Sequence, residues 1–311
     1  MTRPSIAEDF ALELGMPHLG RSGLNESALL KSIGHDRWHM LEQMGGVRTS
    51  DIRDAFDNRL YATYCFVELA LSPERPLSFY DENDWLSFTR DLTHFGRIYL
   101  DGSYSLIEGG PFTIRCTNVF IYQLAGPQQL KMAQPENCDF DRIPALERQP
   151  DSLDACRAAK ESGSFRDFDA SDIDLGSHEV TYALDPDRDA NGAGLIYFAN
   201  FVCFLDYAER LLLNDHSAPE SLIDARSTFW RRIGYFGNAP VTDHLRIAVT
   251  ARARTESGRI ILSFNYQVWR ASDGKLILVS SANKSAPADE EARAWIRNIE
   301  NHGRDDGNRA S

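Results

Sequence analysis

The chain has 311 residues, 42% of them hydrophobic, enough for two domains of about 150 residues each. Its 46 acidic residues outnumber 33 basic ones for a net charge of −13, which argues against a nucleic-acid groove, since phosphate binding needs a basic surface. Five scattered cysteines (Cys65, Cys116, Cys138, Cys156, Cys203) form no CxxC pair, so neither a disulfide framework nor a zinc site is indicated. No run of about 18 apolar residues could span a membrane, and the first residues hold no signal-like apolar core. A soluble, cytoplasmic protein is expected, with no membrane or nucleic-acid partner.

In chain order, residues 10–14 are a short apolar segment that reads as a first strand. Gly15-Met16-Pro17-His18-Leu19-Gly20 is a turn-rich loop. Asn25 suits the cap of a helix over residues 26–44, and Glu26 suits its positive end. Leu29, Leu30, Ile33, Trp38, Leu41 and Met44 recur there at helical spacing. Gly45-Gly46 stops this helix, and Gly34 marks a kink or a break inside it. The period then changes to two, and strands are predicted over residues 60–70, 85–93, 97–107 and 112–124.

Residues 126–176 carry prolines and charges and read as a connection, with a short helix near 153–161. A strand at 179–184 opens a second round. The polar loop from Asp187 to Gly194 runs into a helix over residues 195–213, apolar on nearly every side and so expected to be buried. At full length it would span about 28 Å. A short segment at 220–225 and strands at 231–236, 243–254, 259–270 and 275–281 follow, with tight turns at Glu256-Ser257-Gly258 and Ser272-Asp273-Gly274. Residues 286–311 are charged and poor in apolar residues, and read as a disordered tail. Both halves thus run strand, loop, helix, four strands. The expectation is α+β, with units over residues 1–125 and 177–285 and a connection over 126–176; two unrelated α+β domains are the alternative.

The second loop and helix resemble the start of the hot-dog fold in the 4-hydroxybenzoyl-CoA thioesterase family. That family carries an Asp-x-x-Gly loop and, six residues after the glycine, a helical Asn. Gly194 and Asn200 keep this spacing, and Tyr197-Phe198-Ala199-Asn200-Phe201 is similar to the family's aromatic run. In this register Asn191 stands where the family has its catalytic carboxylate, and Asp189 falls two residues earlier. The other register, Asp189-Ala190-Asn191-Gly192, restores Asp-x-x-Gly but displaces Asn200 by two. With both halves alike, the resemblance implies a double hot dog and a thioester substrate.

A thioester carbonyl is polarised well by the free N–H groups of a helix N-terminus. The loop at 191–194 leads to such a terminus, and Gly192 and Gly194 let a ligand approach the backbone or simply make a tight turn. The Asn191 amide can donate to a carbonyl or enolate oxygen but cannot attack a thioester or activate water. Asp189 is a candidate base or a solvated cap. Tyr61 and Tyr64 lie on opposite strand faces, so at most one faces a given site. His18 sits in a strand–helix loop. The candidate catalytic residues are Tyr61, Asn191, Asp189 and His18; candidate substrate contacts are Gly192, Gly194, Leu195, Tyr197, Asn200 and Tyr64. A local basic patch of Arg226, Arg231 and Arg232 is a place for an acidic carrier to dock.

Over residues 10–283 the chain resembles the double-hot-dog acyltransferase/decarboxylase family of polyketide pathways, the leinamycin-pathway type. The likeness rests on Gly15-Met16-Pro17-His18-Leu19, Gly34-His35-Asp36-Arg37-Trp38, Leu60-Tyr61-Ala62-Thr63-Tyr64, the run from Asp189 to Ala199, and Tyr235-Phe236-Gly237-Asn238. It implies a methylmalonyl-CoA-type substrate, loss of CO₂ to an enolate, and passage of a propionyl group to an acyl carrier protein. No cofactor is implied beyond coenzyme A on the substrate and phosphopantetheine on the carrier. Tyr61 best matches the family's acyl-accepting tyrosine, although Thr63, Tyr64 and Cys65 depart from its pattern. An acyl-CoA or acyl-carrier thioesterase, or a non-catalytic acyl-binding module, are the alternatives. A monomer that is itself a pseudo-dimer, or a homodimer, is expected.

Overall fold

The computed structural model describes residues 9–126 and 128–309, with side chains described to residue 301. The first half contributes β1 (Phe10–Glu13), α1 (Glu26–Gly45), β2 (Tyr61–Leu71), β3 (Trp85–Arg90), β4 (Tyr99–Leu106) and β5 (Phe112–Gln123). Helix α2 (Asp151–Ser162) follows. The second half contributes β6 (Ile173–Ala183), α3 (Phe201–Asp215), α4 (Glu220–Ala225), β7 (Ser227–Tyr235), β8 (His244–Glu256), β9 (Arg259–Arg270) and β10 (Leu276–Pro287), and the chain continues into α5 (Glu290–Arg309).

These strands pair in the order β1-β3-β4-β5-β2-β7-β10-β9-β8-β6, and two short strands pair beside β4 and β5. Every pairing along this path is antiparallel. The order is its own mirror image: each strand of the first half holds the place of the strand five later in the second. The halves meet where β2 pairs β7, from Gly234 opposite Phe66 to Trp230 opposite Ala70. Both seam strands carry a bulge, between Tyr64 and Phe66 in β2 and between Thr228 and Trp230 in β7. The β8–β9 hairpin turns on Ser257 and Gly258, both at positive φ, the signature of a type I′ turn.

Helix α1 is capped as expected: Asn25 Oδ1 accepts the N–H of Ala28, and Gly46, at φ 65°, ends it. It does not break at Gly34. A Cβ there would lie 2.8 Å from the Tyr197 hydroxyl and 3.0 Å from the Phe198 ring, so the glycine admits close approach of the second half rather than a kink.

Helix α3 begins at Phe201, six residues later than the apolar run suggests. Leu195 and Ile196 are buried but not helical: Leu195 lies in a bend and Ile196 bridges Ala190 as a single extended residue. Ile196 donates to Asn238 Oδ1 at 2.9 Å and accepts from Asn238 Nδ2 at 3.1 Å, a two-point clamp that holds it out of the helix. An apolar run serves a buried extended segment as readily as a helix, so periodicity could not separate them.

The tail is also corrected. Residues 290–309 form α5 where charge and composition suggest disorder. Ala292, Trp295 and Ile296 are buried, Ile299 packs on the core, and the Trp295 indole donates to the His216 carbonyl at 2.9 Å. Their spacing makes one apolar stripe, enough to dock an otherwise charged helix. Residues 310–311 lie outside the described residues. Among the described residues no helix is long and apolar enough to cross a membrane.

Candidate active site

A cavity of about 420 Å³ opens at the seam. Its walls come from Thr63, Tyr64 and Cys65 on β2, Val119 and Ile121 on β5, and Leu153, Cys156, Arg157 and Lys160 on α2. The second half adds Ile196, Phe198 and Phe201 and, past the end of β7, Phe236 to Asn238. Helix α2 packs on both β2 and β7, so the segment read as a mere connection covers the seam and forms one wall. Tyr64 stacks on Phe198, and the Tyr235 hydroxyl donates to the Phe198 carbonyl at 3.1 Å.

The loop before α3 is built by its own side chains. Asn191 Oδ1 accepts the N–H groups of Ala193 at 2.9 Å and Leu195 at 3.2 Å. The amide oxygen is thereby spent on the loop, which leaves its NH₂ as the group able to meet a ligand. Gly194 has φ 72°, which glycine adopts without strain, and a Cβ at either Gly192 or Gly194 would meet nothing within 4 Å. Gln123 of β5 donates to the Ala193 carbonyl at 2.8 Å, tying the loop tip to the first half. Leu195 packs with Val119 and Ile121.

The structure places the candidate residues unevenly. Tyr64 lines the cavity. Tyr61 lies on the other side of β2, as alternation requires, and packs on the cluster of Val119, Ile121 and Leu195, with Arg59 over its ring; it does not line the cavity. Asp189 is 1% exposed, and its carboxylate accepts from the Asp185 N–H and the Arg188 guanidinium, a brace for the loop. Asn200 donates to the carbonyls of Arg188 and Asp189 and closes the same brace. Tyr197 leans on Phe198. His18 lies before α1, where its Nδ1 accepts the Gly15 N–H.

Sequence reasoning missed Asn238, which clamps Ile196, and the α2 cations. In the sequence Asn238 is one residue of the Tyr235-Phe236-Gly237-Asn238 run, and nothing local marks α2 as a wall. Burial pushes the Cys65 thiol well up and the Cys156 thiol up to about 12, so neither is a ready nucleophile near neutral pH. Among the described residues, the lining holds three cations (Arg157, Lys160 and Lys275) and no Asp, Glu or His.

No family model and no curated protein matches the chain. Solved structures do. An acyl-ACP thioesterase from Bacteroides thetaiotaomicron superposes with a TM-score of 0.54 at 12% identity, over 89% of this chain and 96% of its own. The 12:0-ACP thioesterase from Umbellularia californica gives 0.54 at 11% identity, over 91% and 99%. At such identity the likeness concerns architecture. The fold is a double hot dog.

In this double hot dog the mirrored strand order supplies a second cleft, before α1. A cavity of about 330 Å³ lies there among Gly20 to Glu26, Asp206 and Arg210 of α3, and Thr228 of β7. Thr228, at the β7 bulge, holds the place that Tyr64 holds at the β2 bulge. The floor of this cleft is ionic. Arg231 pairs with Glu26 at 2.8 Å and with Asp206 at 3.0 Å, and Lys284 pairs with Asp206 and Glu209, each at 2.7 Å. Arg226 pairs with Glu209, and the Tyr266 hydroxyl donates to Glu209. Arg226 and Arg231 are therefore interior members of a balanced network, not a surface patch; charge counting could not see their burial. The two clefts are related by topology and opposite in character.

Proposed function

We propose that the chain acts on acyl thioesters of coenzyme A or of an acyl carrier protein, with the acyl group in the seam cavity and the thioester beside residues 191–196. The observation that carries this reading is the cavity itself: apolar walls from both halves with Arg157, Lys160 and Lys275 and no carboxylate. Apolar walls suit an acyl chain. The three cations suit the phosphates of coenzyme A or phosphopantetheine. The fold shared with acyl-ACP thioesterases supports hydrolysis as the reaction, with the Asn191 NH₂ polarising the carbonyl, since the N–H groups of Asn191 and of residues 193–196 are already bonded within the loop or to Asn238.

A second reading, decarboxylating acyl transfer, is favoured by one observation, the lack of Asp, Glu or His in the lining among the described residues. Water attack calls for a base. Loss of CO₂ from a malonyl-type thioester breaks the bond to the carboxylate carbon, leaves the electron pair in an enolate and needs an oxyanion donor instead. Solvent then protonates the enolate. Tyr61 is the candidate carrier: its phenol oxygen attacks the thioester carbonyl and coenzyme A leaves as the free thiol, then the phosphopantetheine thiol attacks the phenol ester and the phenol leaves with its proton restored.

Purified chain incubated with straight-chain acyl-CoA and methylmalonyl-CoA, with and without a holo carrier protein, separates these readings by mass spectrometry. Free acid without carrier identifies hydrolysis. Propionyl-carrier from methylmalonyl-CoA identifies transfer with decarboxylation. No consumption of any thioester overturns both and leaves an acyl-binding module.

A further inference from the structure

Two histidines face each other on the outer side of α1. His35 and His39 are one helical turn apart and so share a face of the helix. Both are exposed, whereas Ile33, Met40 and Leu41 on the inner side are buried. Their Nε2 atoms stand 3.1 Å apart, with ring centres 4.5 Å apart and planes inclined by 86°. A straight N–H···N bond would hold the ring centres about 5.4 Å apart, so the two rings do not both point along the line between the nitrogens. Two imidazole nitrogens bound to one ion at about 2.0–2.1 Å, at octahedral or tetrahedral angles, stand about 2.8–3.4 Å apart. The observed separation lies inside that range.

Glu42 adds a second observation. Its Oε1 accepts the Thr49 N–H at 3.0 Å and the Thr49 hydroxyl at 2.9 Å, which fixes the carboxylate. Its Oε2 lies 3.7 Å from His39 Nδ1. A carboxylate on that side favours the proton on Nδ1 and leaves the Nε2 lone pair for an ion, the outer partner that orients metal-bound histidines. Asn25 and Gly46 bound α1 and its inner face is packed, so the spacing of the two nitrogens is set by a rigid helix. Exposure leaves room for an ion and its waters. Neither histidine lines the seam cavity.

We propose that His35 and His39 form a surface chelate for one divalent late transition-metal ion, tightest for copper(II). Imidazole suits these ions and copper heads their usual order of affinity, whereas calcium and magnesium prefer oxygen. Among the described residues no group of three or more His, Cys, Asp or Glu could hold a metal, so the pair supplies two ligands and water fills the other positions.

The full chain without an affinity tag, titrated calorimetrically with copper(II) in a buffer that does not bind copper, tests this. The expected result is one site whose Kd rises roughly 10–100-fold in His35→Gln and in His39→Gln, since either change removes the second, intramolecular ligand. A Kd unchanged in either variant overturns the proposal. Electron paramagnetic resonance at one copper per wild-type chain gives a readout that needs no variant: two coupled nitrogens support the chelate, and a single one overturns it.

Discussion

Tyr64 and Phe198 come from opposite halves of the chain and stack ring on ring, with centroids 3.7 Å apart and planes inclined by 17°. Both line the seam cavity, so one contact joins the halves and shapes the proposed acyl site. Tyr64→Ala should cost about 3–5 kcal/mol, as for other large buried aromatics, read as a lower denaturation midpoint in urea. A change below about 1 kcal/mol would show that the stack contributes little.

Gly34→Ala sets two effects against each other. Alanine favours the helix by up to about 1 kcal/mol. Its Cβ, however, would stand 2.8 Å from the Tyr197 hydroxyl and 3.0 Å from the Phe198 ring. Overpacking of this kind costs about 1–3 kcal/mol, and because Phe198 is pinned by Tyr64 and Tyr235 the clash should win. A lower Tm is the expected outcome; a higher one would mean that the halves yield easily.

Asn191 serves the loop through its oxygen and a ligand through its nitrogen, and two substitutions separate these roles. Asn191→Asp keeps the acceptor for Ala193 and Leu195 and removes the donor. It should retain wild-type Tm while kcat falls by roughly 100-fold, the usual cost of losing an oxyanion donor. Asn191→Ala should lose both loop order and turnover. Wild-type kcat in the Asp variant would confine Asn191 to a loop role.

Acid should weaken the ionic cleft. Burial alone would raise the Asp206 carboxyl, but Lys284, then Arg231 and Arg226, outweigh it and hold the group below the usual carboxylate range. A folded-state pKa below the unfolded one means stability that is present above about pH 4 and is lost as the pH falls through the folded value. Thermal melts between pH 2 and 6 should fall more steeply for the wild type than for Asp206→Asn. Parallel curves would remove Asp206 from the acid response.

Much of the architecture is legible in the chain because it is written in periods. Alternation fixes β2 and puts Tyr61 and Tyr64 on opposite faces; Asn25 and Gly46 bound α1 by local chemistry. The start of α3 is not legible, since Asn238, some forty residues downstream, decides that Ile196 stays extended. The cavity wall on α2 and the interior placement of Arg226 and Arg231 depend likewise on partners distant in sequence. Around the loop, residue types showed what Asn191 can donate but not that its oxygen is already engaged.

In a pair of identical subunits, any substitution falls on both clefts at once. Here β2 and β7 meet edge to edge yet are spelled by separate stretches of one polypeptide. One cleft therefore carries Glu26, Arg231 and Lys284 at its floor, while its twin is walled by Tyr64, Ile196 and Phe198. Carrying both halves on one polypeptide gives up symmetry, so that one side holds an ion-pair network and the other keeps the apolar cavity on which the proposed function rests.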